Sequence, residues 1–156
     1  MRTDRCGDLR LEDQGRTVTL CGWVGRRREH GEHLAFVDLR DRSGIIQVVV
    51  DGAADLRSEY VIQVEGTVRQ RPNDTANASL ATGDIEIDAQ KVTVLSAAEP
   101  PPFPLDDRTD IDETLRLRHR YVDLRRARMQ RNLAVRAQVN SAVRTAMEEQ
   151  GFIEVE

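Results

Sequence analysis

The chain has 156 residues, a formal net charge of −4, and 39% hydrophobic against 32% charged residues. No stretch approaches the ~18 consecutive apolar residues of a membrane span, and a start charged at Arg2, Asp4, Arg5 and Asp8 leaves no apolar signal core. An acidic total also excludes bulk charge as a route to nucleic acid, so any phosphate contact has to come from a local patch.

The length suits a domain of about a hundred residues followed by a fragment of a second. Of the 23 basic residues only Lys91 is a lysine. Base composition of the genome explains most of that bias, and planar arginine recognition is the alternative. Cys6 and Cys21 lack any Cys-x-x-Cys or Cys/His ligand spacing. They read as reduced thiols of a cytoplasmic protein, with neither a disulfide nor a metal site.

Gly15-Arg16-Thr17 turns the chain into a first strand, in which Val18, Leu20, Gly22 and Val24 share one face and Thr19, Cys21 and Trp23 the other. Gly22 and Gly25 are expected bends or bulges. The same parity carries Arg26 and Arg28 onward, with Arg27 opposite. Residues 29–33 form a polar hairpin loop. Leu34–Arg40 is a second strand with Ala35, Val37 and Leu39 inward; a turn at 40–44 leads to a third strand, Ile45–Val50, interrupted only by Gln47. Residues 52–59 are expected to make about two turns of helix, too short to be stable unpacked. A fourth strand covers 60–71, with Val61, Val64 and Val68 as core candidates and a bulge at Gly66. Residues 72–83 are a polar loop, and 84–95 a fifth strand with Ile85, Ile87, Val92 and Val94 apolar.

Three strands, a short helix and two strands is the order of a five-stranded OB-fold, a Greek-key barrel whose second and third strands face oligonucleotides. The expected fold class is therefore mainly β. Residues 1–98 form the barrel. A hinge follows over 99–114, opening on a segment that holds four of the five prolines and behaves as a stiff spacer. From 115 the period changes to about 3.6. Leu117, Tyr121 and Leu124 form one helical stripe; Met129–Gln150 is a second helix carrying Val135, Val139, Ala142 and Ala146, with Gly151 as its cap. Phe152, Ile153 and Val155 begin a strand. Residues 115–156 thus read as the truncated start of an α+β domain.

Phe36 is the sharpest candidate for binding. Alternation points it outward among charged residues, where it suits stacking on an unpaired base or packing beneath a neighbouring loop or domain. Gln47 is either an edge residue bonded to solvent or a reader of a base edge. Arg26, Arg27 and Arg28 are either a solvated charge run or, with Arg69 and Arg71 near the same mouth, one of two basic clusters flanking an aromatic. Glu86 can accept bonds from a base or act as a spacing charge. No catalytic set is visible: there is no phosphate-binding glycine loop and no nucleophile elbow, and His30, His33 and His119 form no ligand cluster.

Several segments together carry a resemblance: VTLCGWVGRRRE, FVDLRDRSGIIQVV, EYVIQVEGTVRQRP, ATGDIEI, PPFPLDD, LRLRHRYVDLRR and GFIEVE. In order and over nearly the whole chain, they resemble the N-terminal region of bacterial-type aspartyl-tRNA synthetases, class II enzymes. The resemblance implies an anticodon-binding barrel, a hinge and a dimerising catalytic domain that activates aspartate with ATP and Mg²⁺ and transfers it to tRNA. Phe36 is then the base-stacking residue and Gln47 the reader of the central anticodon uridine. Arg28, Arg69, Arg71 and Glu86 contact neighbouring nucleotides or phosphates, and residues 129–156 begin the dimer-interface motif.

The resemblance also places the ATP and aspartate sites outside these residues, so no cofactor and no catalytic residue is expected within them. The segment between strands three and four is several residues shorter than in the family. His30 is similar to enzymes charging both tRNA-Asp and tRNA-Asn, whereas the companion loop position at Asp74-Thr75 lacks the glycine that often accompanies it. A stand-alone, non-catalytic OB-fold single-strand binder is the competing expectation, and a protein-interaction barrel with Phe36 under a partner is a third.

Overall fold

The computed structural model describes every residue except Glu32, Ala53, Ala54 and Glu156, and the side chain of Asn73. The chain divides into two compact units, Met1–Pro100 and Pro101–Glu156.

In the first unit, five strands close into a barrel in the order β1-β2-β3-β5-β4: β1 (Thr17–His30), β2 (Leu34–Arg40), β3 (Ile45–Asp51), β4 (Val61–Gln70) and β5 (Ile85–Ser96). All neighbours are antiparallel except β3 and β5. The length of β1 is what permits closure. Its first half, Thr17–Trp23, pairs with β4, and its second, Trp23–His30, pairs with β2. Alternation drives Val18, Leu20, Val24, Val37, Leu39, Ile46, Val48, Ile62, Val64, Val68, Ile85 and Ile87 inward, each 1% exposed or less. Burial of each such side chain stabilises the barrel by roughly 1.5–3 kcal/mol.

Three expectations about the barrel change. The short helix is not formed by the described residues of its segment. Gly52 is a bend at φ +95, residues 55–57 are irregular, and Ser58-Glu59 is a turn; Ala53 and Ala54 lie outside the described residues. So short a segment gains little from helical bonds, and among the described residues of this connection Leu56, 2% exposed, joins the core. On β4 the inward set is Ile62, Val64 and Val68, with Val61 half-buried on the opposite parity. On β5, Val94 is 46% exposed. Beyond Asp88 that strand is paired by β4 but not by β3, so its far end lies outside the closed part of the barrel.

In the second unit, α1 (Glu113–Arg118) and α2 (Arg120–Asp123) precede a long α3 (Ala127–Glu149). Asp112 caps α1 by accepting from the Leu115 amide at 3.1 Å. The expected stripe does not form: the helix breaks at His119 (φ −113, ψ 46), the 3.6-residue period is lost there, and Leu117 and Tyr121 are 59% and 64% exposed. Val122 and Asp123 are buried instead. Asp123 takes two hydrogen bonds from Arg116, at 3.0 and 3.2 Å, and these, aided by the Arg126 charge, hold its carboxyl below the usual range. Gly151 (φ +82) ends α3 as expected: Gly151 N–H donates to Glu148 and Phe152 N–H to Met147, closing a Schellman motif. The strand expected after it is absent from the described residues. Phe152, Ile153 and Val155 are exposed, and a single strand without a partner leaves its backbone groups unpaired.

Candidate nucleic-acid interface

A bulge in β1 decides which arginines reach the outer face. Val24 pairs with Leu39 but Arg26 with Asp38, so Gly25 is the extra residue. Simple parity would place Arg26 and Arg28 with the core residue Val24. The bulge turns both outward and gives the inward register position, opposite Val37, to Arg27. That is a correction to the alternation read from sequence, although Gly25 was among its expected bulges.

Beyond the bulge two rows of outward residues cross the barrel. Register pairs Arg26 with Asp38, Asp38 with Gln47, Gln47 with Glu86, and Glu86 with Arg69, one residue from each strand. The adjacent row runs Arg28, Phe36, Val49, Asp88, Thr67. Phe36 is half-buried within this second row, its ring centroid 5.4 Å from that of His30 at an interplanar angle of 56°. His30, expected in a loop, is the last residue of β1.

From Asp38 to Arg69 the first row is bonded, with Arg28 of the adjacent row joining Asp38 to Gln47. Arg28 Nη2 donates to Asp38 Oδ1 at 2.7 Å and to Gln47 Oε1 at 3.1 Å. Gln47 Nε2 donates to Glu86 Oε2 at 2.8 Å. Arg69 Nε donates to Glu86 Oε1 at 2.8 Å, and its Nη1 lies 3.3 Å from Asp88. Gln47 is therefore not a solvated edge residue: β3 lies between β2 and β5, and the side chain is buried. Arg71, just past β4, is buried too and donates from Nε to the Ile85 carbonyl at 2.8 Å. Burial lowers its pKa, opposed by the negative charges of Glu86, Asp38 and Asp84, and a guanidinium so placed keeps its charge.

Asp74 and Thr75 stand apart. Both are exposed on a short 3₁₀ turn, Thr75 giving its hydroxyl to the Pro72 carbonyl at 2.9 Å, and neither is bonded to the row. Asp38 and Asp88 were not among the binding residues expected from the sequence, although alternation puts Asp38, two residues after Phe36, on the same face.

Chemically, the face offers an aromatic ring, three arginines, and an amide and carboxylate fixed between them. Those groups suit an unstacked base and a phosphate chain. Among the described residues no three His, Cys, Asp or Glu side chains converge as metal ligands, and Glu86 is committed to Gln47 and Arg69. The residues present do not fit a Mg²⁺ site. Among the described residues no helix is long and apolar enough to cross a membrane.

Known proteins share this architecture. The family described as OB-fold nucleic acid binding domain matches residues 18–95, and that of class II tRNA synthetases (D, K and N) matches 112–156. The chain is 50% identical over 164 residues to the aspartate–tRNA(Asp/Asn) ligase of Heliobacterium modesticaldum, covering 99% of this chain and 27% of that one. Against the ligase of the same name from Arthrobacter sp. it is 50% identical over 159 residues, covering 100% and 26%. The solved asparaginyl-tRNA synthetase of Pyrococcus horikoshii superposes with a TM-score of 0.81 at 25% identity, over 98% of this chain and 36% of that one. The chain thus spans about a quarter of the length of the curated relatives it matches. With half its residues matched by the first family and all of it aligned to these ligases, the chain belongs to the OB-fold nucleic acid binding domains, in the form carried by the aspartyl-tRNA synthetases.

Proposed function

We propose that residues 1–98 bind the anticodon loop of a tRNA on the outer face of the barrel, as part of an aspartate–tRNA ligase. The observation that carries this is the bonded row from Asp38 to Arg69 with Phe36 beside it. Phe36 stacks on a loop base, Gln47 reads the central uridine, and Arg28, Arg69, Arg71 and Glu86 hold neighbouring nucleotides or phosphates. Residues 99–114 are the hinge, and 115–156 open the catalytic domain. In that whole protein aspartate would be activated with ATP, for which Mg²⁺ would supply charge neutralisation, and the apolar positions of α3, such as Val135, Val139 and Val143 at 52–57% exposure, face the second subunit of a homodimer. The setting is the cytoplasm, where tRNA is charged.

His30, resting on the Phe36 ring, and the turn at Asp74-Thr75 bear on whether tRNA-Asn is charged as well. Relatives named for both tRNAs support the relaxed reading. Full-length enzyme offered both tRNAs decides it, and no aspartylation of tRNA-Asn sinks it.

The binding test is a titration of the chain with an anticodon stem-loop bearing GUC in the loop. Phe36→Ala is expected to weaken binding by about 1–3 kcal/mol, and a loss below ~0.5 removes Phe36 from the stacking role. Equal affinity for a scrambled loop makes the barrel a sequence-tolerant single-strand binder. Absence of binding to either RNA points to a protein partner.

A further inference from the structure

The amide of Gln47 lies between two partners that cannot exchange roles. Arg28 Nη2 donates to its Oε1 and Glu86 Oε2 accepts from its Nε2. A guanidinium has no acceptor and an ionised carboxylate no donor. The network therefore admits one sense of the amide. The flipped sense sets N–H against N–H at Arg28 and oxygen against oxygen at Glu86. Both partners are anchored in turn, Arg28 on Asp38 at 2.7 Å and Glu86 on Arg69 at 2.8 Å. With Gln47 8% and Glu86 3% exposed, little water is at hand to replace the lost bonds.

After these two bonds Oε1 keeps one lone pair and Nε2 one N–H. A carboxamide free to turn meets uracil, with N3–H beside O4, as well as cytosine, with N3 beside N4–H₂, by presenting a different sense to each. A carboxamide held in one sense matches one of them in a given pose. We infer that Arg28 and Glu86 are positioning residues that lock the sense of the Gln47 amide, and that this lock, rather than Gln47 alone, separates uridine from cytidine at the base it reads. The inference rests on the reading above, in which an RNA loop with a central uridine occupies the outer face.

Two stem-loops differing only by U or C at the central loop position, with a scrambled loop as a third, test it against the full chain. The wild-type chain is expected to bind the U loop about tenfold more tightly than the C loop. Arg28→Gln and Glu86→Gln singly retain most of that ratio, because the other partner still dictates the sense. In the double variant neither obligate partner remains, and the ratio is expected to fall below about threefold or invert. Loss of a phosphate contact alone lowers both affinities together and leaves the ratio untouched, so the ratio isolates the lock. A folded double variant with the wild-type ratio overturns the inference. Equal binding of scrambled and U loops by the wild-type chain instead overturns the RNA-loop reading beneath it. One measurement needs no variant. Hydrogen exchange of the Gln47 side-chain NH₂ in the free protein is expected to be about tenfold slower than that of the exposed Gln150, and equal rates also overturn the lock.

Discussion

Cys6 and Cys21 look alike in sequence and differ in the fold. Cys6 is fully buried in the core cluster, and burial, followed by the charge of Asp41, pushes its thiol above the usual range. Cys21 is half-buried on the other face of β1, and both are free. In the native chain a thiol reagent at pH 8 should modify Cys21 and spare Cys6 until the barrel is unfolded, as peptide mapping would show. Asp41 supplies the complementary pH effect. Burial alone would raise its carboxyl. Bonds from the Ser43 hydroxyl and from the amides of Cys6, Ser43 and Gly44 outweigh that and bring it below the ordinary value. A depressed folded pKa means the contribution is present above the unfolded value, about 4, and is lost as pH falls through the folded one. Asp41→Asn should therefore destabilise the barrel by about 1–3 kcal/mol at pH 7, and the gap to wild type should narrow in acid. Urea titration followed by the single tryptophan, Trp23 in β1, reads both.

The strands depend on local irregularities as much as on alternation. Gly25 adds the residue that reverses the faces of β1, and without that reversal Arg28 would point at the core rather than at Asp38 and Gln47. Gly66 answers a different need. A Cβ there would lie 2.5 Å from the Asp88 carbonyl oxygen and 2.7 Å from Ile87 Cγ2, beside the register shift in the β4–β5 ladder. Backbone cannot move aside cheaply, so Gly66→Ala should cost about 3 kcal/mol in the same urea titration. A substitution as mild as Thr67→Ser nearby should change little.

For the molecule as a whole, the net charge of −4 leaves phosphate contact to local arginines such as Arg28 and Arg69, each already paired with an acid of the face. If about two phosphates are engaged, log K for the GUC stem-loop should fall with log salt at a slope near −1.4. Arg69→Gln should make that slope shallower by about 0.7. Measurement at 50–200 mM salt reads the slope, and a flat profile would remove the arginines from phosphate contact.

Period-two runs, turn glycines and the strand–connection–strand order were enough to determine the barrel, the outward Phe36, the Gly151 cap and the change of period after the prolines, because each is local chemistry. The features that escaped depend on distant partners. Whether residues 52–59 coil, whether Phe152–Val155 pairs, and whether a helix survives His119 turn on neighbours the local pattern does not name. The same holds for the site. Residue type and parity single out Phe36, Gln47 and Glu86, yet only closure of β3 against β5 brings Gln47 to Glu86 across 39 positions of chain. Only the bulge at Gly25 turns Arg28 to meet them. Alternation is a property of each strand, whereas a hydrogen-bonded row belongs to the register among five, and register is decided by tertiary packing.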